Sequence, residues 1–445
     1  MSGQPDLPRV LVVGAEPFQA TTGSGVTLAN LFEGWPRDRL AQVYTAAVEP
    51  STEVCSRFHR VDPRSSPVDH YGRRLLGRGG GLWERDDPAI GAIPVSAGAP
   101  SSARLHAELR ALADLSPLRV AGRLAGWVRA FRPDVIYSML GSVRIMRLAD
   151  RLARCGGAPL VPHFMDDWPA TLYASGELLG YGQRSVRRHL DRVMDRCVGG
   201  LCISDAMASE YERRYDRSFA AFANCVDESA FVEPVDGSAQ PGALRLSYVG
   251  GLHLDRWAAL RQVGLALADL PGDLPPPRLT VHAPEADLAR YRDRFADCPQ
   301  VQLGAPLRGA EVTRALAGAD VLVHVESFRP ELRRYTRFSL STKIPQYLAA
   351  GRPVLAYGPG ELASMRHLNA AGAAVGVGVE DRRQLRQALE RLCRDGALRG
   401  RLARAGHDWA WRHHSRGQVA RAFAARLTEV SAVAVPGPVS ERTAR

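Results

Sequence analysis

A chain of 445 residues, 45% hydrophobic and 24% charged, has material for two or three cores without disulfide or metal staples. This composition excludes wholesale disorder. The formal net charge of +11 suits anionic partners and equally suits arginine-coated, solvated helix faces. No apolar run approaches the ~18 residues of a membrane span. The opening MSGQPDLPRV lacks the basic-then-apolar pattern of a secretory signal, so a cytoplasmic protein is expected. Seven scattered cysteines without a Cys-x-x-Cys pair point to reduced thiols rather than zinc, iron–sulfur or disulfide frameworks.

In chain order, strands are predicted at 9–13, 42–45, 135–138, 160–163, 201–204 and 221–224. Helices are predicted between them at 26–32, 103–115, 118–131, 143–154, 185–196 and 206–215. Residues 60–100, rich in Gly, Pro and Arg, read as an irregular insertion. The stretch PVDGSAQPG at 234–242 reads as a linker. The pattern then restarts, with strands at 244–249, 278–282, 301–303, 321–325, 354–357 and 374–377. Its helices are predicted at 256–268, 288–295, 309–317, 343–350, 362–371, 383–394 and 397–406, and a last helix starts at 409. Strand–helix alternation of this kind calls for parallel sheets covered by helices, an α/β chain. The expected domains are 1–233 and 243–408, followed by a terminal helix at 409–430 and a tail at 431–445. Ligands in such sheets bind at the carboxyl ends of strands.

Lysine occurs once, at Lys343, and 57 of the 58 basic residues are arginine. That lysine stands in FSLSTKIPQYLAAGRPVLAYG, 338–358. There Ser341 or Thr342 can cap a short helix, Pro345 is tolerated in its first turn, and Gly351 and Pro353 end it. A helix start carrying hydroxyls, amides and one ammonium suits a diphosphate; a capped surface helix with a solvated lysine is the plainer alternative. In YVGGLHLDR, Gly250 and Gly251 allow close backbone approach to a ligand, and Arg256 can reach phosphate oxygens. QATTGSG places Gly23, Ser24 and Gly25 before a helix; it is neither GxGxxG nor a P-loop with its Gly-Lys-Ser/Thr. In PHFMDDWP, His163 could orient or polarise a sugar hydroxyl or phosphate and Asp166 or Asp167 could take a proton; a packed strand-end histidine is the alternative. Glu326, in HVESF, suits a ligand hydroxyl or an ion pair with Arg329, Arg333 or Arg334. The segment ISDAM reads as a strand feeding a helix capped by Ser204.

The order of these motifs, above all YVGGLHLDRW and STKIPQYLAAGRPVLAYG, resembles the GT-B glycosyltransferases and, within them, the retaining family 4-like group. The resemblance runs over about 10–427. It implies two Rossmann-like domains facing across a cleft, with acceptor bound by the first, nucleotide sugar by the second, and the final helix crossing back. It implies transfer of a glycosyl group from a nucleotide-diphosphate sugar to a hydroxyl acceptor, with retention, no metal and no cofactor. Lys343 and Arg256 would bind the diphosphate, aided by Gly250, Gly251, Ser341 and Thr342, with Gly23–Gly25 closing over the phosphates. The group usually has Glu where Gln346 stands, and Phe338 stands where a preceding Glu is usual; Glu326 would take over that work. The usual His-Asp dipeptide reads Met165-Asp166, with His163 nearest. Donor sugar, base and acceptor stay open. A lipid-linked acceptor and peripheral association with the inner membrane face fit, and no nucleic-acid partner is expected. The alternatives are a sugar-nucleotide epimerase of the same fold and a catalytically degenerate partner subunit.

Overall fold

The protein is described by a computed structural model that covers residues 7–19, 23–62, 101–118, 120–236 and 243–433. The 60–100 insertion, the second half of the 234–242 linker and the end of the tail therefore lie almost wholly outside the described residues. The chain divides into two compact units: residues up to Phe222 with those from Ala420 onward, and Ala223–Val419.

The first unit begins with β1 (Val10–Gly14), α1 (Gly23–Phe32), β2 (Leu40–Tyr44) and β3 (Phe58–Arg60). It continues with α2 (Ser101–Leu115), α3 (Gly122–Phe131), β4 (Val135–Ser138), α4 (Val143–Gly156), β5 (Leu160–Phe164) and α5 (Trp168–Thr171). It then adds α6 (Tyr181–Met194), β6 (Gly200–Cys202), α7 (Asp205–Tyr215) and β7 (Phe219–Ala221). Its sheet has the order β3-β2-β1-β4-β5-β6-β7, and every pairing is parallel. The central strands are apolar runs buried on both faces, as parallel sheets require. At the core, Phe32 stands edge-on to Tyr137 and Phe423 with centroids 5.2 and 5.0 Å away.

The second unit contains β8 (Arg245–Val249), α8 (Arg256–Ala268), β9 (Arg278–His282), α9 (Glu285–Tyr291), β10 (Val301–Gly304) and α10 (Ala310–Ala317). Next come β11 (Val321–Val325), α11 (Pro330–Thr336), α12 (Lys343–Ala349), β12 (Val354–Tyr357), α13 (Ala363–Ala370) and β13 (Ala374–Val377). It closes with α14 (Arg382–Arg394) and α15 (Gly396–His413), after which α16 (Arg416–Ser431) carries Phe423 into the first unit's core. The sheet order β10-β9-β8-β11-β12-β13 is again parallel throughout. On α14 the buried positions Leu385, Ala388, Leu389 and Leu392 follow the i, i+3, i+4, i+7 spacing of a helix laid on a sheet. Asp381 caps that helix through the Arg383 and Gln384 amides.

Some expected element bounds are corrected. The helix predicted to stop at 406 continues to His413. Gly406 is a packing glycine, since a Cβ there would lie 2.9 Å from the Ala373 Cβ. The last helix accordingly begins at Arg416 rather than 409. Strand β3 and the short helices α5 and α11 were not expected; β3 is a three-residue, partly exposed edge with no apolar run to announce it. Among the described residues no helix is long and apolar enough to cross a membrane, and no group of three or more His, Cys, Asp or Glu could hold a metal ion.

Candidate functional site

In the second unit the strand order reverses direction between β8 and β11, which pair with each other at the sheet centre. Crevices beyond the carboxyl ends of strands at such a switch point are where open α/β sheets bind ligands. Here β8 ends at Val249, just before Gly250, and β11 ends at Val325, just before Glu326.

Lys343, the first residue of α12, reaches this point. Its Nζ donates to the Tyr248 hydroxyl at 2.7 Å, and Tyr248 in turn donates to the Gly251 carbonyl at 2.6 Å. One turn further along α12, the Tyr347 hydroxyl accepts the Val249 amide at 3.0 Å. Lys343 and Tyr347 are thus an i, i+4 pair on the face that ties α12 to β8. Gly250 has φ 150°, and a Cβ there would sit 2.7 Å from the Lys343 Nζ; only glycine gives the lysine its room.

The turn after β8 holds Leu254 and Asp255 at φ 57° and 59°, two side-chain-bearing residues in the left-handed region. The strained turn starts α8 with Arg256, which is buried. Its Nη2 lies 3.6 Å from Glu326 Oε2, and His324 Nε2 lies 3.3 Å from Glu326 Oε1. Gly358, at the end of β12, leaves space for this carboxylate, since a Cβ there would come within 2.8 Å of the Glu326 Cβ.

Burial alone would raise the Glu326 carboxyl, but Arg256, His324 and Lys343 together hold it at about 2. It is a fixed negative charge, not a proton donor at neutral pH. Burial keeps His324 below its usual range despite Glu326. Burial, and then Arg256, depress the Lys343 ammonium well below an ordinary lysine, against the pull of Glu326. Two basic side chains converge here on one carboxylate, and the arrangement gains most from a further anion.

The other expected donor-binding residues fall as follows. Gly251 lies in the turn beside His253 and Asp287. Ser341 and Thr342 are half-buried just ahead of α12, and neither side chain caps it; the Ser341 amide goes to the Ser364 hydroxyl at 3.1 Å. This corrects the expected cap. Gln346 is on the exposed side of α12. Glu326 pairs with Arg256 and His324 rather than with Arg329, Arg333 or Arg334; Arg333 is engaged with Glu361.

The first unit overturns one assignment. His163 is fully buried. Its Nδ1 lies 2.6 Å from the Tyr137 hydroxyl, and burial holds the ring at about 3 against the Phe222 and Cys202 carbonyls. It is packed in the core beside Tyr137 rather than standing at an open strand end. Asp166 is half-buried after β5, whereas its neighbour Asp167 is buried in an ion pair with Arg214 at 2.7 Å and accepts from the Tyr211 hydroxyl at 2.8 Å. Gly23, Ser24 and Gly25, expected as a loop, form the first turn of α1. The segment between β1 and α1 is held by Gln42, whose side chain accepts the Phe18 amide at 2.9 Å and donates to the Glu16 carbonyl at 3.2 Å. The Ser204 cap is present, accepting from the Met207 amide at 3.2 Å.

Tyr347 escaped the sequence reading, because an aromatic four residues into a short helix reads as core. Its spacing from Lys343 was the available signal. Tyr248 and His324 sat inside motifs already singled out but had no role assigned.

Residues 258–425 match a protein family described as glycosyl transferase-like. No match was found among curated proteins. Solved structures resemble the chain over nearly its full length. HepE of Anabaena in complex with UDP is 12% identical, with 95% of this chain and 100% of that chain covered and a TM-score of 0.61. Sucrose-phosphate synthase of Thermosynechococcus elongatus is 12% identical, covering 95% and 99%, at 0.62. The α,α-trehalose 6-phosphate synthase of Burkholderia multivorans is 16% identical, covering 99% of both chains, at 0.57. The fold is therefore that of the GT-B glycosyltransferases, two Rossmann-like α/β units.

Proposed function

We propose that this chain, a glycosyltransferase with the GT-B fold and a glycosyl transferase-like second unit, moves a sugar from a nucleotide-diphosphate donor to a hydroxyl acceptor, with retention and without a metal. One observation carries the donor assignment: Lys343 and Arg256 converge on the switch point between β8 and β11. HepE, solved with UDP and with UDP-glucose, supports the donor class.

When the glycosidic bond to the diphosphate breaks, negative charge grows on the departing phosphate oxygens. Cationic side chains already fixed in a desolvated pocket stabilise that charge without reorganising. Lys343 supplies a compact ammonium and Arg256 a planar fork. The Ser341 and Thr342 hydroxyls and the Gly250–Gly251 turn complete the cradle, and Gln346 contributes a neutral hydrogen-bonding group toward the nucleoside. Glu326 is a positioning residue that aims Arg256. The acceptor bears a hydroxyl, and a lipid-linked one at a membrane face fits the same reading. Asp166 is the candidate base on the acceptor side.

A panel of nucleotide sugars, assayed for diphosphate release and for the anomeric configuration of product, tests the proposal. Donor-dependent release that disappears in Lys343→Ala is the expected result. Release unaffected by that substitution would overturn the site, and free sugar formed at full rate without acceptor would point to an epimerase-type reaction.

A further inference from the structure

Strand β11 carries one residue that packing does not ask for. Val321, Val323 and Val325 belong to the apolar core on one face of the sheet, and the alternate positions, Leu322 and His324, point to the other. His324 stands opposite Ala356 of β12 and is fully buried. Among the described residues neither of its ring nitrogens has an aligned hydrogen-bond partner. Nε2 lies 3.3 Å from Glu326 Oε1, near enough for attraction but off the line of a bond. Arg256 on α8 and Lys343 on α12 are the other charged groups that act on the ring, and burial holds it below the usual histidine range. A buried polar group left in that state costs stability, and a leucine would fill the position without that cost. Rules of packing are broken in this way mainly where function requires it.

The carboxylate beside the ring is held just as loosely at its other oxygen. Arg256 Nη2 is 3.6 Å from Glu326 Oε2, beyond hydrogen-bond length. The Glu326 backbone is nonetheless fixed, its amide donating to the Tyr357 carbonyl at 2.9 Å. A buried carboxylate on a rigid backbone is thus shared between two contacts, each short of a formed bond. Polar contacts of this kind in a free site tighten when the ligand arrives.

We propose that His324 is the reserve partner of Glu326: when a diphosphate draws the Arg256 guanidinium onto its oxygens, the His324 Nε2–H closes on Glu326 and keeps the buried carboxylate bonded. Without that exchange, binding would strip Glu326 of its counter-charge and leave it unpaired in the interior, and the loss would subtract from donor affinity. The inference rests on the diphosphate reading of the site. His324 is a positioning residue, acting on Arg256 through Glu326. No proton changes hands: the imidazole stays neutral, and only the partner of one carboxylate changes.

Calorimetric titration of the full chain with inorganic pyrophosphate, beside thermal denaturation without ligand, tests it. His324→Leu is expected to keep or raise the thermal midpoint while the pyrophosphate Kd rises roughly tenfold or more. His324→Gln, whose amide N–H reaches about as far as Nε2, recovers most of that affinity, whereas His324→Asn, which stops near Nδ1, does not. Nitrogen spectra of isotope-labelled histidine show a neutral ring before and after saturation, with its Nε2–H proton shifted downfield by the ligand. Parent-like pyrophosphate binding in His324→Leu, a midpoint that falls together with affinity, or a doubly protonated ring at saturation would each overturn the proposal. Binding lost in Lys343→Ala but untouched in His324→Leu sinks this inference alone. A parent chain that binds no pyrophosphate overturns the diphosphate reading and this inference with it.

Discussion

The Lys343 ammonium is depressed by burial and by Arg256, so an incoming diphosphate does two things there: it neutralises the pocket and it shifts the ammonium back toward the ordinary lysine range. Above the free-state pKa, binding takes up a proton, and donor affinity falls as pH rises. Calorimetry in buffers of different ionisation enthalpy should show that uptake in the parent and lose it in Lys343→Ala. The same substitution lowers turnover about 10²–10³-fold, with acceptor KM little changed. Glu326 runs the opposite way. Held at about 2 against an ordinary 4.5, it contributes stability above pH 4.5 that is lost as pH falls toward 2. Glu326→Leu removes the counter-charge of Arg256 and destabilises the second unit by about 3 kcal/mol at pH 7, and a nucleoside diphosphate should restore part of that in thermal shift. At this scale Lys343 was singled out because a single lysine in an arginine-rich chain has few explanations, and the structure brings it to the carboxyl end of β8. The sequence reading misplaced His163, since a histidine at a strand end says nothing about whether that end is covered; here β6 and the segment at Phe222 cover it.

Elements bring these side chains together, and α12 is the decisive one. Tyr347 is its clamp: Tyr347→Phe leaves the Val249 amide without its acceptor and costs about 1 kcal/mol. Lys343 then loosens, so donor affinity falls although no ligand contact is removed; equilibrium denaturation and a nucleoside diphosphate titration measure the two effects. The elements of the second unit were the most legible. Runs such as VLVHV and PVLAY are bounded by turn signals and buried on both faces, and β9, β11, β12 and β13 start and stop where the sequence places them. Edges were less legible. β3 has one strongly apolar residue in three, and Gly406 looks like a helix stop until its contact with Ala373 is known.

In the whole molecule, the two units carry comparable acid liabilities. His163 in the first and His414 in the second are both held near 3 by burial. Each binds a proton in the unfolded chain, near pH 6.5, that its folded unit refuses. Stability therefore falls as pH drops below 6.5, by about 1.4 kcal/mol per pH unit for each unit. Denaturation midpoints at pH 6.5, 5.5 and 4.5 check this, and His163→Gln should flatten the slope of the first unit only. The solitary lysine has an experimental use as well. An amine reagent has one side-chain target in all 445 residues, and depression of its ammonium leaves more free amine there near neutrality than in an ordinary lysine. Isotope-enriched reductive methylation would then place a single side-chain resonance at the pocket, a built-in reporter whose chemical shift tracks occupancy directly.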